Sequence, residues 1–258
     1  MDKSLSFLGE LSQDDKLTAD RALELVRAAE SKYISKFTFF LDEHQRTLSE
    51  KVLASVCFKD YMFFGGYEGA SRTVLGTAAP YTELGKADFP ISAFTFTYRP
   101  ADRLTHRDFL GCLMSLGIER STVGDILVTE GKTALFVSRS VSVPVSGITK
   151  VGRVGVKVSE GYDESVIPVQ EFVPTEGTVS SLRLDCVLSL ALRISREKAA
   201  ALIRKSGAEV NYTGVFSCDA RLEQGDVFSV RGFGKFRVEE IGAQTAKGRF
   251  RIKINKYA

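Results

Sequence analysis

The chain has 258 residues, 44% apolar and 26% charged, a composition suited to two or three folded modules and not to a disordered or fibrous chain. No window reaches the roughly 18 consecutive apolar residues of a membrane span, and residues 1–11 carry Asp2 and Glu10 in place of an apolar signal core, so a cytoplasmic protein without a membrane partner is expected. The formal charge of +3 conceals an asymmetry: residues 181–258 hold 15 Lys/Arg against 8 Asp/Glu, whereas residues 1–180 hold 20 against 24.

Such an asymmetry points to a polyanion-binding C-terminal end, although charge alone leaves open a solvated basic face. The acidic first 180 residues leave room for a protein partner. The cysteines, Cys57, Cys112, Cys186 and Cys218, include no C-x-x-C pair, and His44 and His106 are the only histidines. Neither a metal site nor a cofactor is expected, and the cysteines read as small packing residues.

In chain order, Ala22, Leu23, Leu25, Val26 and Ala29 recur at helical spacing within 18–30, and a second helix is expected over 42–53. An aromatic strand end at Phe63-Phe64 then runs into Gly65-Gly66-Tyr67-Glu68-Gly69. That turn could cradle a phosphate, but no Lys-Ser/Thr follows as in a P-loop, and tight turning is the simpler reading. Residues 1–86 are taken as an N-terminal helical α/β subdomain.

Residues 87–160 alternate strands and helices. Phe94, Phe96 and Tyr98 alternate with Ala93, Thr95 and Thr97 as a half-buried strand does. Thr105 and Asp108 stand at capping-box spacing, and Gly117 closes the helix that they open. Strands are expected over 125–129 and 133–137 around a turn at Gly131, with another over 154–158. If 138–147 is helical, the order is βαββαβ, a ferredoxin-like (RRM-like) layout; Pro144 and its β-branched neighbours oppose that helix.

Residues 161–177, with Pro168 and Pro174, read as a connection, and 178–258 as the C-terminal domain. Leu184, Val187, Leu188 and Ala191 form one helical stripe. Ser195 caps a second helix that ends at Gly207. Its buried face is Ala199, Leu202 and Ile203, with Lys198 and Lys205 on one outward flank and Arg204 on the other. Strands follow over 209–212, 226–231, 235–241 and 249–254, with turns at Thr213-Gly214 and Gly232-Phe233-Gly234. In the last strand Phe250, Ile252 and Ile254 oppose Arg249, Arg251 and Lys253. Three cations in a row can track phosphates, and with Arg231, Lys235 and Arg237 they favour nucleic acid. On an edge strand they would instead discourage aggregation.

Leu182-Arg183-Leu184-Asp185, Ser195-Arg196-Glu197-Lys198-Ala199, Leu202-Ile203, Val210-Asn211 and Gly225-Asp226 resemble the S4 (αL-motif) RNA-binding domain. The resemblance implies an L-shaped basic surface that reads RNA by shape and backbone. It implies RNA contacts at Arg183, Ser195, Arg196, Lys198, Arg204, Lys205 and Asn211, with Asp185 bracing the fold. Tyr212 departs from the pattern, since S4 domains commonly carry glycine there. Phe64-Gly65-Gly66-Tyr67, the run 104–111 (Leu-Thr-His-Arg-Asp-Phe-Leu-Gly), the run 178–185 and Ser229-Val230-Arg231-Gly232-Phe233-Gly234 together resemble the YlmH-type family of bacterial RNA-binding proteins. That likeness implies an α+β chain with an RNA-binding middle module and a C-terminal S4 domain. It also implies association with the large ribosomal subunit and its ribosomal RNA in quality control of stalled translation, with tRNA as a further candidate partner.

Several fragments imitate enzymes. His106-Arg107-Asp108 resembles a kinase catalytic loop, yet Leu113 stands where a metal-binding Asn is needed and no Asp-Phe-Gly follows. Arg183-Leu184-Asp185 resembles the catalytic aspartate segment of pseudouridine synthases, but the 73 residues after Asp185 are too few for a catalytic domain. A binding protein with no catalytic residues is expected, with an S4-bearing RNA-modifying enzyme as the alternative.

Overall fold

The computed structural model describes residues 12–168 and 171–257. The chain divides after residue 168 into two compact units, both mixing helices with antiparallel sheets. In the first, α1 (Gln13–Lys32) is opened by Ser12, whose hydroxyl accepts from the Asp15 amide, and α2 (Glu43–Ser55) by a reciprocal Asp42/Gln45 box. Between and after them lie β1 (Lys36–Leu41), β2 (Tyr61–Phe64) and β3 (Thr73–Thr77), in the antiparallel order β1-β3-β2. The apolar stripes of both helices close over Leu41 and Leu75. Every residue of β3 is buried because Leu75 faces the helices while Val74 faces a second core.

That second core ties the first ninety residues to the following module. Its strands are β4 (Ile91–Thr97), β5 (Val123–Thr129), β6 (Lys132–Ser138) and β9 (Lys157–Glu160). They stand in the order β5-β6-β4-β9 with every neighbour antiparallel, the ferredoxin-like arrangement. Helix α3 (His106–Ser115), whose first-turn Asp108 accepts from the Thr105 amide and hydroxyl, and the single turn α4 (Ser142–Ser146) bury Phe109, Leu113 and Val145 against one face. Pro144 is tolerated because it sits in the first turn of α4, where no helical N–H partner is required. A two-residue hairpin, β7 (Lys150–Val151) with β8 (Val154–Gly155), precedes β9.

The opposite face of this sheet is covered. Ala134 and Phe136 pack against Phe40, Tyr67, Val74 and Phe89 from the first ninety residues and against Val166. The sequence reading placed a domain boundary at 86/87; a shared core joins the two parts into one unit. The glycine-rich turn serves this packing. Gly66 has φ +103°, and a Cβ there would lie 2.3 Å from the Phe136 ring. The place a phosphate could take is filled from within: Asp125 accepts from the Ser71 amide (2.7 Å), the Arg72 amide (3.1 Å) and the Tyr67 hydroxyl (2.7 Å). Burial, with the Asp125 carboxylate beside it, pushes the Tyr67 hydroxyl far above its ordinary range. Burial, followed by the repulsion of Arg120, draws Arg72 down to about 10, so it stays a cation at neutral pH. Its guanidinium donates to the carbonyls of Val123 and Phe40, closing the junction.

The second unit is one six-stranded antiparallel sheet with two helices on one face. Its elements are β10 (Phe172–Val179), α5 (Leu184–Leu192), α6 (Arg196–Ser206), β11 (Ala208–Val210), β12 (Thr213–Val215), β13 (Val227–Val230), β14 (Gly234–Gln244) and β15 (Phe250–Tyr257), with sheet order β10-β15-β14-β13-β11-β12. Leu184, Val187, Leu188, Ala199 and Ile203 from the helices meet Phe228, Phe236, Val238, Ile252 and Ile254 from the strands. Three expectations are corrected. The connection expected over 161–177 does not exist as such: Val166 belongs to the first unit's core, and residues 172–179 form β10. The turn expected at Thr213-Gly214 is at Asn211 and Tyr212, both with positive φ. The last strand lies inside the sheet, between β10 and β14, so its cations do not guard an edge.

Replacing Asp125 by alanine strands two amides and a half-buried hydroxyl, a loss of about 2–4 kcal/mol for the first unit. Hydrogen exchange of the full chain should accelerate in peptides spanning 61–77 and 120–138 and remain unchanged after residue 171.

Candidate nucleic-acid interface

The candidate contacts read from the sequence separate into two sets on opposite faces of the second unit. Since α5 and α6 cover the face bearing Phe236, Val238, Ile252 and Ile254, strand alternation directs Lys235, Arg237, Arg251 and Lys253 to the other face.

The helical set is built around one carboxylate. Asp185, in the first turn of α5, is 3% exposed, and it accepts from Arg196 Nε at 2.8 Å, from Arg183 Nε and Nη2 at 3.2 and 3.4 Å, and from the Cys186 amide at 2.9 Å. Burial pushes its pKa up, but the hydrogen bonds from Arg196, Arg183 and Cys186 outweigh it and hold the carboxyl below its ordinary range. Arg183 caps α5 and Arg196 opens α6, so the bridge fixes the angle between the helices. Between them Arg193 takes a left-handed conformation (φ +53°), and the Ser195 hydroxyl accepts from the Lys198 amide at 3.3 Å. Helix α6 buries Ala199, Ala200 and Ile203, with Leu202 only partly covered. Lys198, Arg204 and Lys205 are exposed, and their side chains make no ion pair or hydrogen bond among the described residues.

Asn211 is held by the fold. Its side-chain amide donates to Asp226 (2.8 Å) and its carbonyl accepts from the Val227 amide (3.0 Å). This pinning supports the positive φ of +62° at Tyr212, where the S4 pattern has glycine.

Acidic and polar groups accompany the sheet-side set. Lys253 pairs with Glu176 at 3.6 Å, and Arg249 donates to the Thr178 hydroxyl and carbonyl. The Lys235 ammonium lies 4.6 Å from the Tyr212 ring centre and 5.1 Å from that of Tyr257. Arg237 and Arg251 are exposed on their strands, and Arg231 is exposed in the turn after β13. Sequence reasoning missed the aromatic component: Tyr212 and Tyr257 are far apart in sequence and meet at Lys235 only through the fold of the sheet.

Among the described residues no group of three or more His, Cys, Asp or Glu side chains could hold a metal, and no helix is long and apolar enough to cross a membrane.

Asp185→Asn should destabilise the second unit by roughly 1.5–3 kcal/mol at neutral pH. Because the folded carboxyl is depressed, its contribution is full above the unfolded value near pH 4 and is lost as pH falls through the folded value. Thermal melts should therefore show a gap between wild type and variant at pH 7 that closes below about pH 4; a gap independent of pH would mean that the carboxylate charge is not what stabilises the bend.

Residues 85–164 match the family model described as "Putative RNA-binding domain in YlmH". The chain is 30% identical over 249 residues to Ribosome-associated protein quality control protein P2 of Bacillus subtilis (strain 168), covering 95% of this chain and 96% of that protein. The solved structure of Cell division protein ylmH from Streptococcus pneumoniae is also similar, with a TM-score of 0.53 and 25% identity over 62% of this chain and 98% of that one. Identity at this level over nearly the full length of a relative fixes the family: the chain belongs to the YlmH family of RNA-binding proteins.

Proposed function

We propose that this protein is a ribosome-associated RNA-binding protein that docks on structured ribosomal RNA of the large subunit through an S4-type surface on α5 and α6. Its role is in quality control of stalled translation, with tRNA as a second contact. The α5–α6 bend carries the reading. Asp185 consumes Arg183 and Arg196 as braces and leaves Lys198, Arg204 and Lys205 projecting from one rigid helix. Lys198 and Lys205 on one flank of the helix, with Arg204 on the other, suit the phosphates of a folded RNA, which proteins read mainly by shape and backbone. The name of the Bacillus subtilis relative, which spans nearly the same length, supports the ribosomal setting.

The middle module contributes differently from an open RNA-recognition sheet. Its sheet has α3 and α4 on one face and the Phe40–Tyr67–Phe89 core on the other, so bases have no free sheet face on which to stack. Any RNA contact there uses helix ends, loops or the β7–β8 hairpin. Docking is also favoured over RNA modification, because both oxygens of Asp185, the residue on which a synthase reading rests, are engaged.

Lys198→Glu combined with Lys205→Glu should weaken binding of the full chain to purified large ribosomal subunits by about tenfold or more. It should also lower the slope of log affinity against log salt by about one per lost phosphate contact, with the melting temperature unchanged. Arg196→Glu should lower both affinity and melting temperature, since it breaks the Asp185 brace. Wild-type affinity and salt slope in the Lys198/Lys205 double variant would remove α6 from the interface.

A further inference from the structure

A groove of about 630 Å³ opens between the C-terminal end of α6, the β11–β12 hairpin and the turn joining β13 to β14. Its main apolar feature is Phe216, a side chain 67% exposed. One side of the ring lies over Gly207, close enough that a Cβ there would stand 3.1 Å from it. Gly207 adopts φ +70° as it ends α6, so this glycine both stops the helix and seats the ring. One flank of the ring thus lies against backbone while the rest faces the groove. Across from it the turn carries Gly232 and Gly234, and a side chain at Gly232 would meet nothing within 4 Å. The wall is therefore open at Gly232, while the Lys256 side chain lies beside Gly234, 3.2 Å from where a Cβ would stand.

The charge around the groove is positive. Arg231 and Lys235 line it, and Arg204 and Lys205 occupy the last turn of α6, immediately before it. The one acid in the lining, Glu209, accepts a hydrogen bond from the Ser229 hydroxyl at 3.0 Å. An exposed aromatic ring in a groove also lined by Arg231 and Lys235 suits a flat, electron-rich base joined to phosphates. The groove also begins where α6 ends, so a phosphate backbone following that helix from Lys198 to Lys205, a rise of about 10 Å, is delivered to it.

We propose that this groove receives a single unpaired nucleobase of the bound RNA, stacked on Phe216, with the adjoining phosphates on Arg231 and on the cations of the last turn of α6. The proposal rests on the RNA-docking reading and adds to it a preference: RNA with an extruded base next to a helix should be held more tightly than a continuous helix.

The test uses the full chain and two RNA hairpins identical except for one bulged 2-aminopurine. Wild type should bind the bulged hairpin more tightly and quench the 2-aminopurine fluorescence. Phe216→Ala should reduce affinity for the bulged hairpin roughly 5- to 100-fold, to the level of the unbulged one, and abolish the quench. Phe216→Tyr should retain both. Phe233→Ala removes an exposed ring of the β13–β14 turn that does not line the groove, and it should change neither. Because Phe216 is exposed, its loss should leave the thermal melt intact. Equal binding of the two hairpins by wild type, or a Phe216→Ala variant that still quenches and still prefers the bulge, overturns the proposal. If wild type binds large subunits through α6 but captures only an apolar peptide in the groove, the nucleobase assignment is again overturned while RNA docking stands. Failure to bind any RNA removes the docking reading and this proposal with it.

Discussion

Asp185 is the point on which the second unit turns. A carboxylate buried this deeply would be costly if left alone, and removing one partner of such a pair usually destabilises more than the pair itself contributes. Here it is satisfied from three directions, by a guanidinium at the start of each helix and by the backbone of its own first turn. The geometry of α5 against α6 is therefore set by directional hydrogen bonds as well as by the non-directional packing of Val187, Ala199 and Ile203. Arg183 and Arg196, two of the most conspicuous cations in the sequence, serve this purpose, whereas Lys198, Arg204 and Lys205 further along α6 stay exposed.

The first unit uses an analogous device for another end. Asp125 gathers two backbone amides and a tyrosine hydroxyl at a turn that would otherwise resemble an anion site. The anion is supplied by the chain itself. With the turn fixed, Gly66 lets the backbone approach Phe136, and the ferredoxin-like sheet loses the face that gives many such sheets their affinity for nucleic acid. The topology of this module and its surface chemistry thus point in different directions, which is why fold alone is a poor guide to where it touches a partner.

Much of the architecture was legible in the sequence. Strict alternation at 93–98, the Thr105/Asp108 pair, Ser195 and Gly207 each encode their local structure through short-range rules that the structure follows. What was not legible depended on contacts between distant residues. Phe172–Val179 carries two proline- or glycine-type breakers and reads as a connection, yet it is a strand because β15 supplies hydrogen bonds from about 75 residues away. The division of the cations into two faces was likewise hidden, because it follows from which side of the sheet the helices cover. The bonds of Asn211 to Asp226 and Val227, which brace the turn, were hidden for the same reason, since these partners lie 15 and 16 residues away.

The position of β15 bears on how the second unit comes into being. The strand latest in the chain is inserted between β10, the earliest of this sheet, and β14. Until residues 250–257 are free to pair, β10 has no neighbour and the core formed by Ile252 and Ile254 is missing. A nascent chain can build α5, α6 and the β14-β13-β11-β12 part of the sheet from contacts closer in sequence, but it cannot close the sheet until residues 250–257 have left the exit tunnel. Such long-range pairing is slow to form. The sheet that backs the basic surface therefore closes later in chain order than the first unit, whose strands all lie before residue 161.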